Sequence, residues 1–218
     1  MNVRLLQLAS PALPVGAYSY SQGLEAAIEA GIAGDAAGAR RWIADVMRLA
    51  VAGMEAPLFA RLSQAWSSAD EAGAWRWNAE LVASRETAEL RAETLQMGRS
   101  LARLARDLGV PGAERLERDE LGYATAFAFV CVAWGIDAGD AMEAYLYAWL
   151  ENQVLAAVKC IPLGQTEGQR MILELAADIP AIATEARAAG DGELANFAPG
   201  FAALSAAHES QYSRIFRS

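Results

Sequence analysis

One histidine and two cysteines are all the imidazole and thiol groups in this chain of 218 residues. His208 stands near the end of the chain, and Cys131 and Cys160 sit apart, each in an apolar helical run. A metal site needs three or more converging ligands at short spacings, and no HxxE, HxH or CxxC occurs. No metal site within one chain is expected, and His208 could at most lend one ligand to a site shared between chains. Phosphate-cradling loops are missing too: there is no GxxxxGK[ST] or GxGxxG, and no strand to precede one. Every serine or cysteine nucleophile would have to share His208, and adjacent His208 and Glu209 point in different directions on a helix. Neither catalysis nor a resident cofactor is expected.

Other absences narrow the partners and the compartment. No apolar run approaches the ~18 residues of a membrane span. The N-terminus resembles a secretory signal, but its short apolar core, Leu5–Ala9, is broken by Gln7 and followed by Pro11 and Pro14. No disulfide framework is visible, and the two cysteines read as small buried hydrophobes. The chain is therefore read as cytoplasmic. A net charge of −9 repels a polyphosphate backbone, so nucleic acid is not an expected partner.

What is present is helix. Hydrophobic residues make up 54% and charged residues 21%, enough apolar matter for a large core. Much of it is alanine, the best helix former. The fold class is all-α, a bundle of roughly eight to ten helices in one domain over 1–218, with 208–218 a tail that can move.

The helices can be placed from their stops. After an irregular start, Pro14-Val15-Gly16 marks a turn, and Ser19 or Ser21 can cap a helix that Gly31 and Gly34 end. Asp35 is a fair N-cap for the next, with Ile43, Met47 and Val51 on one face. Patterns follow over Leu58–Trp66, Trp75–Ser84 and Glu86–Leu108, the last ended by Gly109, Pro111 and Gly112. A helix opening at Asp119 is apolar almost all round from Tyr123 to Trp134. Another, from about Asp140 to Lys159, carries a stripe wide enough to be central: Met142, Leu146, Trp149, Gln153 and Ala157. One helix is expected over Gly168–Ala188 and a short one after the loose segment Gly190–Gly200. Glu86, Glu89 and Glu93, interleaved with Arg85 and Arg91, read as a solvated outer face rather than a docking site.

Three segments are unusual for a plain bundle. LASPALPVGAYSYSQGLE (Leu8–Glu25) places two tyrosines after a Pro/Gly turn. VKCIPLGQTEGQ (Val158–Gln169) places a lysine at a helix end before a Pro/Gly/Gln corner. HESQYSRIFRS (His208–Ser218) loads a terminal stretch with two aromatics and two arginines. Helix C-termini favour a cation by ~0.3–1 kcal/mol, which alone can account for Lys159. Tyr18 and Tyr20 can close a turn over the core. A frayed tail, however, has no use for Tyr212, Arg214, Phe216 and Arg217, the residue types that anchor interfaces. The stretch is expected to be ordered, or to become ordered, against a protein surface.

In this order and spacing the three segments, with RETAELR (Arg85–Arg91) and PLFAR (Pro57–Arg61), resemble the UreF family of urease accessory proteins, over about Leu5–Ser218. The resemblance implies an all-helical homodimer. Such a protein binds UreD (UreH in some organisms), recruits the GTPase UreG and docks on apo-urease, where GTP hydrolysis is coupled to nickel delivery. It implies that Tyr18 and Arg214 are linked to one another and to UreG recruitment, and that Lys159 serves the fidelity of nickel loading. The partner-binding set expected on these grounds is Tyr18, Tyr20, Lys159, Pro162, Gln165, His208, Glu209, Tyr212, Arg214, Phe216 and Arg217. Two other readings stand beside it: a helical module for an unrelated client, and a helical enzyme gathering His208, Glu209 and Glu151 in one cleft.

Overall fold

A computed structural model describes residues 2–218, which contain helices and no β-strand. The helices are α1 (Val3–Ala9), α2 (Leu24–Glu29), α3 (Ala36–Val46), α4 (Ala56–Ser67), α5 (Glu71–Ala83) and α6 (Ala88–Asp107). They continue with α7 (Tyr123–Ala133), α8 (Ala138–Cys160), α9 (Gln165–Ala176), α10 (Ile179–Ala188) and α11 (Pro199–His208). Starts are fixed by side chains that accept the orphan amides of the first turn. Asp35 accepts from Gly38 N at 2.7 Å, Asp70 from Gly73 N at 2.9 Å, Thr87 from Leu90 N at 3.2 Å and Asp137 from Gly139 N at 2.7 Å. Neither candidate cap for α2 stands at its N-cap, which is Gly23 in the left-handed region; Ser21, two residues before it, still accepts from Glu25 N at 3.3 Å.

The structure departs from the sequence expectations at several places, and the helix expected to open at Asp119 begins only at Tyr123. The irregular start contains α1, begun by Asn2, whose side chain accepts from Arg4 N. The single helix expected over Gly168–Ala188 is two. Apolar spacing runs unbroken from Met171 through Ile179 to Ala186, but Pro180 cannot extend a helix and instead opens α10. Finally, α3 and α4 are joined by a π-helical segment, Met47–Glu55, in which the Ala56 amide reaches back to Val51 O. Pro57, in the first turn of α4, has no amide to return to Gly53 O, which instead accepts from Ala195 N at 3.0 Å and fastens the 189–199 loop.

α7 is buried on every side, wedged between α4 and α6. α8 touches α1, α2, α3, α4, α7, α9 and α10, the central place that its wide apolar stripe demands. Where they meet, Phe59 stacks on Tyr145 at 4.8 Å and both pack on Phe127, at 6.0 and 5.3 Å. Such aromatic pairs add about 0.5–1.5 kcal/mol each beyond area burial. α6 and the start of α7 approach so closely that only glycine fits at 98: a Cβ there would meet Leu121 O at 2.1 Å.

Candidate partner-binding site

α11 ends at His208, and the stretch after it doubles back over α2 and the turn at Ala17–Ser19. Its backbone is held by a ladder of partners. Glu25 Oε1 accepts from Ile215 N at 2.7 Å, and Glu25 Oε2 from Phe216 N at 2.9 Å. Arg217 N donates to Ser19 O and Ser21 N to Ser218 O, both at 2.8 Å. The Ser21 hydroxyl also donates to Ser218 O, and Ser218 Oγ donates to Glu93 Oε2 at 3.0 Å. Phe216 and Ser218 are buried.

His208 anchors the root of this stretch. It is fully buried, with Nδ1 at 2.7 Å from Glu89 Oε2 and Nε2 at 3.2 Å from Glu25 Oε2. Glu89 also accepts from Arg214 Nη1 at 2.8 Å. Glu209 turns the other way and accepts from Ala88 N at 2.9 Å, neutralising donors at the start of α6. The acidic stripe on α6 is therefore not a solvated face. Glu86 is exposed, but Glu89 is half-buried beneath the tail and Glu93 is buried. Burial pushes the Glu93 carboxyl up to about 7, against the opposing hydrogen bonds from Gln22 and Ser218.

Behind Glu93 the polar groups continue inward. Gln22 Nε2 donates to Glu93 Oε1 and Trp149 Nε1 to Gln22 Oε1, both at 2.7 Å. Arg85 pairs with Glu55 at 2.6 Å, and Tyr145 OH donates to the same carboxylate. These groups border an internal cavity of about 70 Å³, space for a few ordered waters.

At the far end of α8, Lys159 Nζ lies 5.3 Å from the centre of the Phe216 ring and 5.8 Å from that of Tyr18, and donates to Tyr18 O at 3.3 Å. Lys159 thus ties the N-terminal turn to the tail as well as ending a helix. Tyr20 is buried under the same turn, its backbone oxygen accepting from Asn152 Nδ2 at 3.1 Å. Burial and Glu93 raise its phenol, and a hydrogen bond with Arg217 acts in the opposite sense. Tyr18, Tyr212 and Ile215 face solvent, at 62%, 106% and 66% exposure, and Pro162 and Gln165 stand exposed on the corner after α8. Tyr18 and Arg214 have separate partners, Lys159 and Glu89, and no hydrogen bond between them is found among the described residues.

Three groups proposed for an enzyme are not brought together. His208 sits between Glu25 and Glu89, Glu209 caps α6, and Glu151 lies beside Tyr147 on α8. Among the described residues no three His, Cys, Asp or Glu side chains are grouped to hold a metal ion, and no helix is long and apolar enough to cross a membrane. The sequence reading missed Ser21, Gln22, Glu25, Glu89 and Glu93, the seat on which the tail rests. Glu93 did leave a signal, since it shares the apolar side of α6 with Leu90, Met97 and Leu101.

The chain is similar along nearly all its length to known proteins. A family model described as UreF matches residues 33–176. The urease accessory protein UreF of Azoarcus sp. (strain BH72) is 53% identical over 222 residues, covering 99% of this chain and 95% of the relative. That of Dechloromonas aromatica (strain RCB) is 50% identical over 220 residues, covering 99% and 96%. A bifunctional urease accessory protein UreEF of Bordetella bronchiseptica is 50% identical over 221 residues, with 98% of this chain matching 51% of that longer one.

Proposed function

This chain belongs to the UreF family of urease accessory proteins, and from that premise we propose that it is a non-enzymatic adaptor in the maturation of urease. In this reading it works as a homodimer in the cytoplasm, binds UreD (UreH), recruits the GTPase UreG and brings both to apo-urease. Nickel is cargo: it passes between partners out of bulk water while UreG hydrolyses GTP. The adaptor's contribution is surface geometry.

The observation that carries this reading is the docked tail. A stretch pinned by Glu25, Glu93 and His208 on its inner side presents Tyr212, Arg214 and Ile215 outward, near a second exposed aromatic, Tyr18. Aromatic and arginine side chains held in place lose little entropy on binding, which is what an interface anchor requires. Lys159, Tyr20, Phe216 and Arg217 shape the platform, while His208 and Glu209 fasten its root. A chain that joins the E and F accessory proteins in one polypeptide, as in the Bordetella relative, fits an adaptor that works within an assembly.

The test is co-expression with UreD and UreG followed by size-exclusion chromatography with and without GTP. The wild-type chain should co-elute with both, and Tyr18→Ala, Tyr212→Ala and Arg214→Ala should release UreG while leaving helical circular dichroism intact. Retention of UreG by all three variants, with normal urease activity, would overturn the assignment of this surface. Cutting the chain at His208 is a poorer test, because it leaves Glu25 and Glu89 half-buried without their partner.

A further inference from the structure

α1, α8 and the start of α10 enclose a surface groove of about 550 Å³, away from the tail. Its walls are Leu5, Leu6 and Ala9 on one side and Ile179 and Pro180 on the other, and Tyr147 lies on its floor. Leu6 and the neighbouring Val3 are 53% and 72% exposed, although each is a side chain that gains by leaving water.

The charges in this groove are all of one sign. Asp140, Glu143 and Glu151 line it from a single face of α8, and no Lys, Arg or His lines it. Over eleven residues at 1.5 Å each, that row is about 16 Å long, three turns of a facing helix. Several other surface carboxylates of this chain find arginines, among them Glu174 with Arg40, Asp178 with Arg48, Glu120 with Arg91 and Glu117 with Arg106. The three in the groove form no ion pair among the described residues. Burial also raises the Glu151 carboxyl, with the Tyr147 hydrogen bond acting against it, so an incoming cation would relieve a group already short of water.

We propose that this groove is a second docking surface, and that it takes a cationic amphipathic helix of about three turns from a partner protein. An apolar stripe at i, i+3, i+4 and i+7 would fill the space between α1 and α10, and Lys or Arg beside the stripe would meet the three carboxylates. An anionic lipid surface is repelled by the same charges, and so is a face as acidic as this chain's own average. The proposal is independent of the tail, and its test leaves the tail untouched.

The probe is a labelled peptide of leucine and lysine at helical spacing, with a leucine/glutamate peptide of equal length and amphipathicity as control. Fluorescence anisotropy should show binding of the cationic peptide alone, weakened at least tenfold by Asp140→Lys/Glu143→Lys or by Leu6→Asp, and not by Glu117→Lys. Amide shifts should change along α1, Asp140–Glu151 and Ile179. A photo-crosslinker at Leu6 in the co-expressed assembly should then capture a Lys/Arg-bearing helical segment of another protein. Equal binding of both peptides, indifference to the reversals at unchanged thermal midpoint, shifts elsewhere, or a cross-link only to a second copy of this chain would each overturn the proposal.

Discussion

The Phe216 amide donates to Glu25 Oε2 at 2.9 Å, joining residues 191 positions apart in the chain. The other oxygen of the same carboxylate takes the Ile215 amide at 2.7 Å, and His208 Nε2 approaches Oε2 at 3.2 Å. A carboxylate has about four acceptor sites, and here three are used by the tail and its root. Glu25 is only 6% exposed, so water cannot take the place of these partners without the tail lifting away. The order at Ile215 and Phe216 therefore depends chiefly on one side chain of α2, while Ser19, Ser21 and Glu93 hold the two residues that follow.

Glu25→Ala should free the tail without unfolding the bundle. Each hydrogen bond to a charged acceptor is worth about 1.5–3 kcal/mol, so losing two raises tail opening on the order of 100-fold or more. Hydrogen exchange at the amides of 215–218 should accelerate by that factor, and trypsin should cut faster after Arg214 and Arg217. Amides in the middle of α7 should keep most of their protection. Unchanged exchange at Ile215 and Phe216 would mean that something other than Glu25 holds the tail.

Replacing Lys159 is expected to separate function from stability. Its ammonium group is exposed, and cation–π contacts in such settings are worth about 0.5–1 kcal/mol, so Lys159→Ala should lower stability by no more than about 1 kcal/mol. Urease matured in the presence of this variant is expected to carry less nickel and to show lower activity, because Tyr18 and Phe216 lose the cation between them. Wild-type activity and nickel content would assign Lys159 to the helix end alone.

The helices were legible wherever punctuation and periodicity agreed. Asp35 and Gly109 bound their helices as their chemistry requires, and the breadth of the α8 stripe foretold its central place. The break before α10 was hidden because Met171, Ile172, Ile179 and Ile182 keep helical spacing across it, and Pro180 was the only dissent. The π-helical segment was not legible, since Ile43, Met47 and Val51 recur at a spacing of four that an α-helix accommodates as well. The docked tail was half legible: its composition led to the expectation of order against a protein surface, but its seat depends on where α2, α6 and α11 meet, which periodicity within each helix does not encode. The stripe on α6 illustrates the cost, because charge alone suggested solvent for Glu93 when its apolar neighbours pointed inward.

Gly98→Ala should be destabilising even though alanine is the better helix former by about 1 kcal/mol. The new Cβ would stand 2.1 Å from Leu121 O and 2.9 Å from the Gly122 carbonyl carbon, so the α6–α7 contact must open. Overpacking of this kind costs about 1–3 kcal/mol, or roughly 2–4 °C of Tm per kcal/mol at this chain length. Gly200→Ala is the control, since it too lies within a helix, α11, and nothing lies within 4 Å of a Cβ there. Equal melting of both variants would refute the close approach.

Glu93 gives the fold a pH dependence of a particular sign. Its carboxyl is raised from 4.5 to about 7, chiefly because burial disfavours the charged form. Between those values the folded chain holds a proton that the unfolded chain has released, so this group's contribution is full below pH 4.5 and is lost as pH rises to about 7. The difference amounts to about 3 kcal/mol across that window. Glu93→Gln removes the titration while keeping an acceptor for Ser218 Oγ and a polar partner for Gln22. Denaturant unfolding of both proteins from pH 4.5 to 8 should show the variant gaining on the wild type as pH rises, with the gap constant above about 7.5. A difference that does not change with pH, or a variant that loses ground to the wild type as pH rises, would mean that Glu93 is ionised throughout beneath the tail, and that Gln22 and Ser218 outweigh its burial.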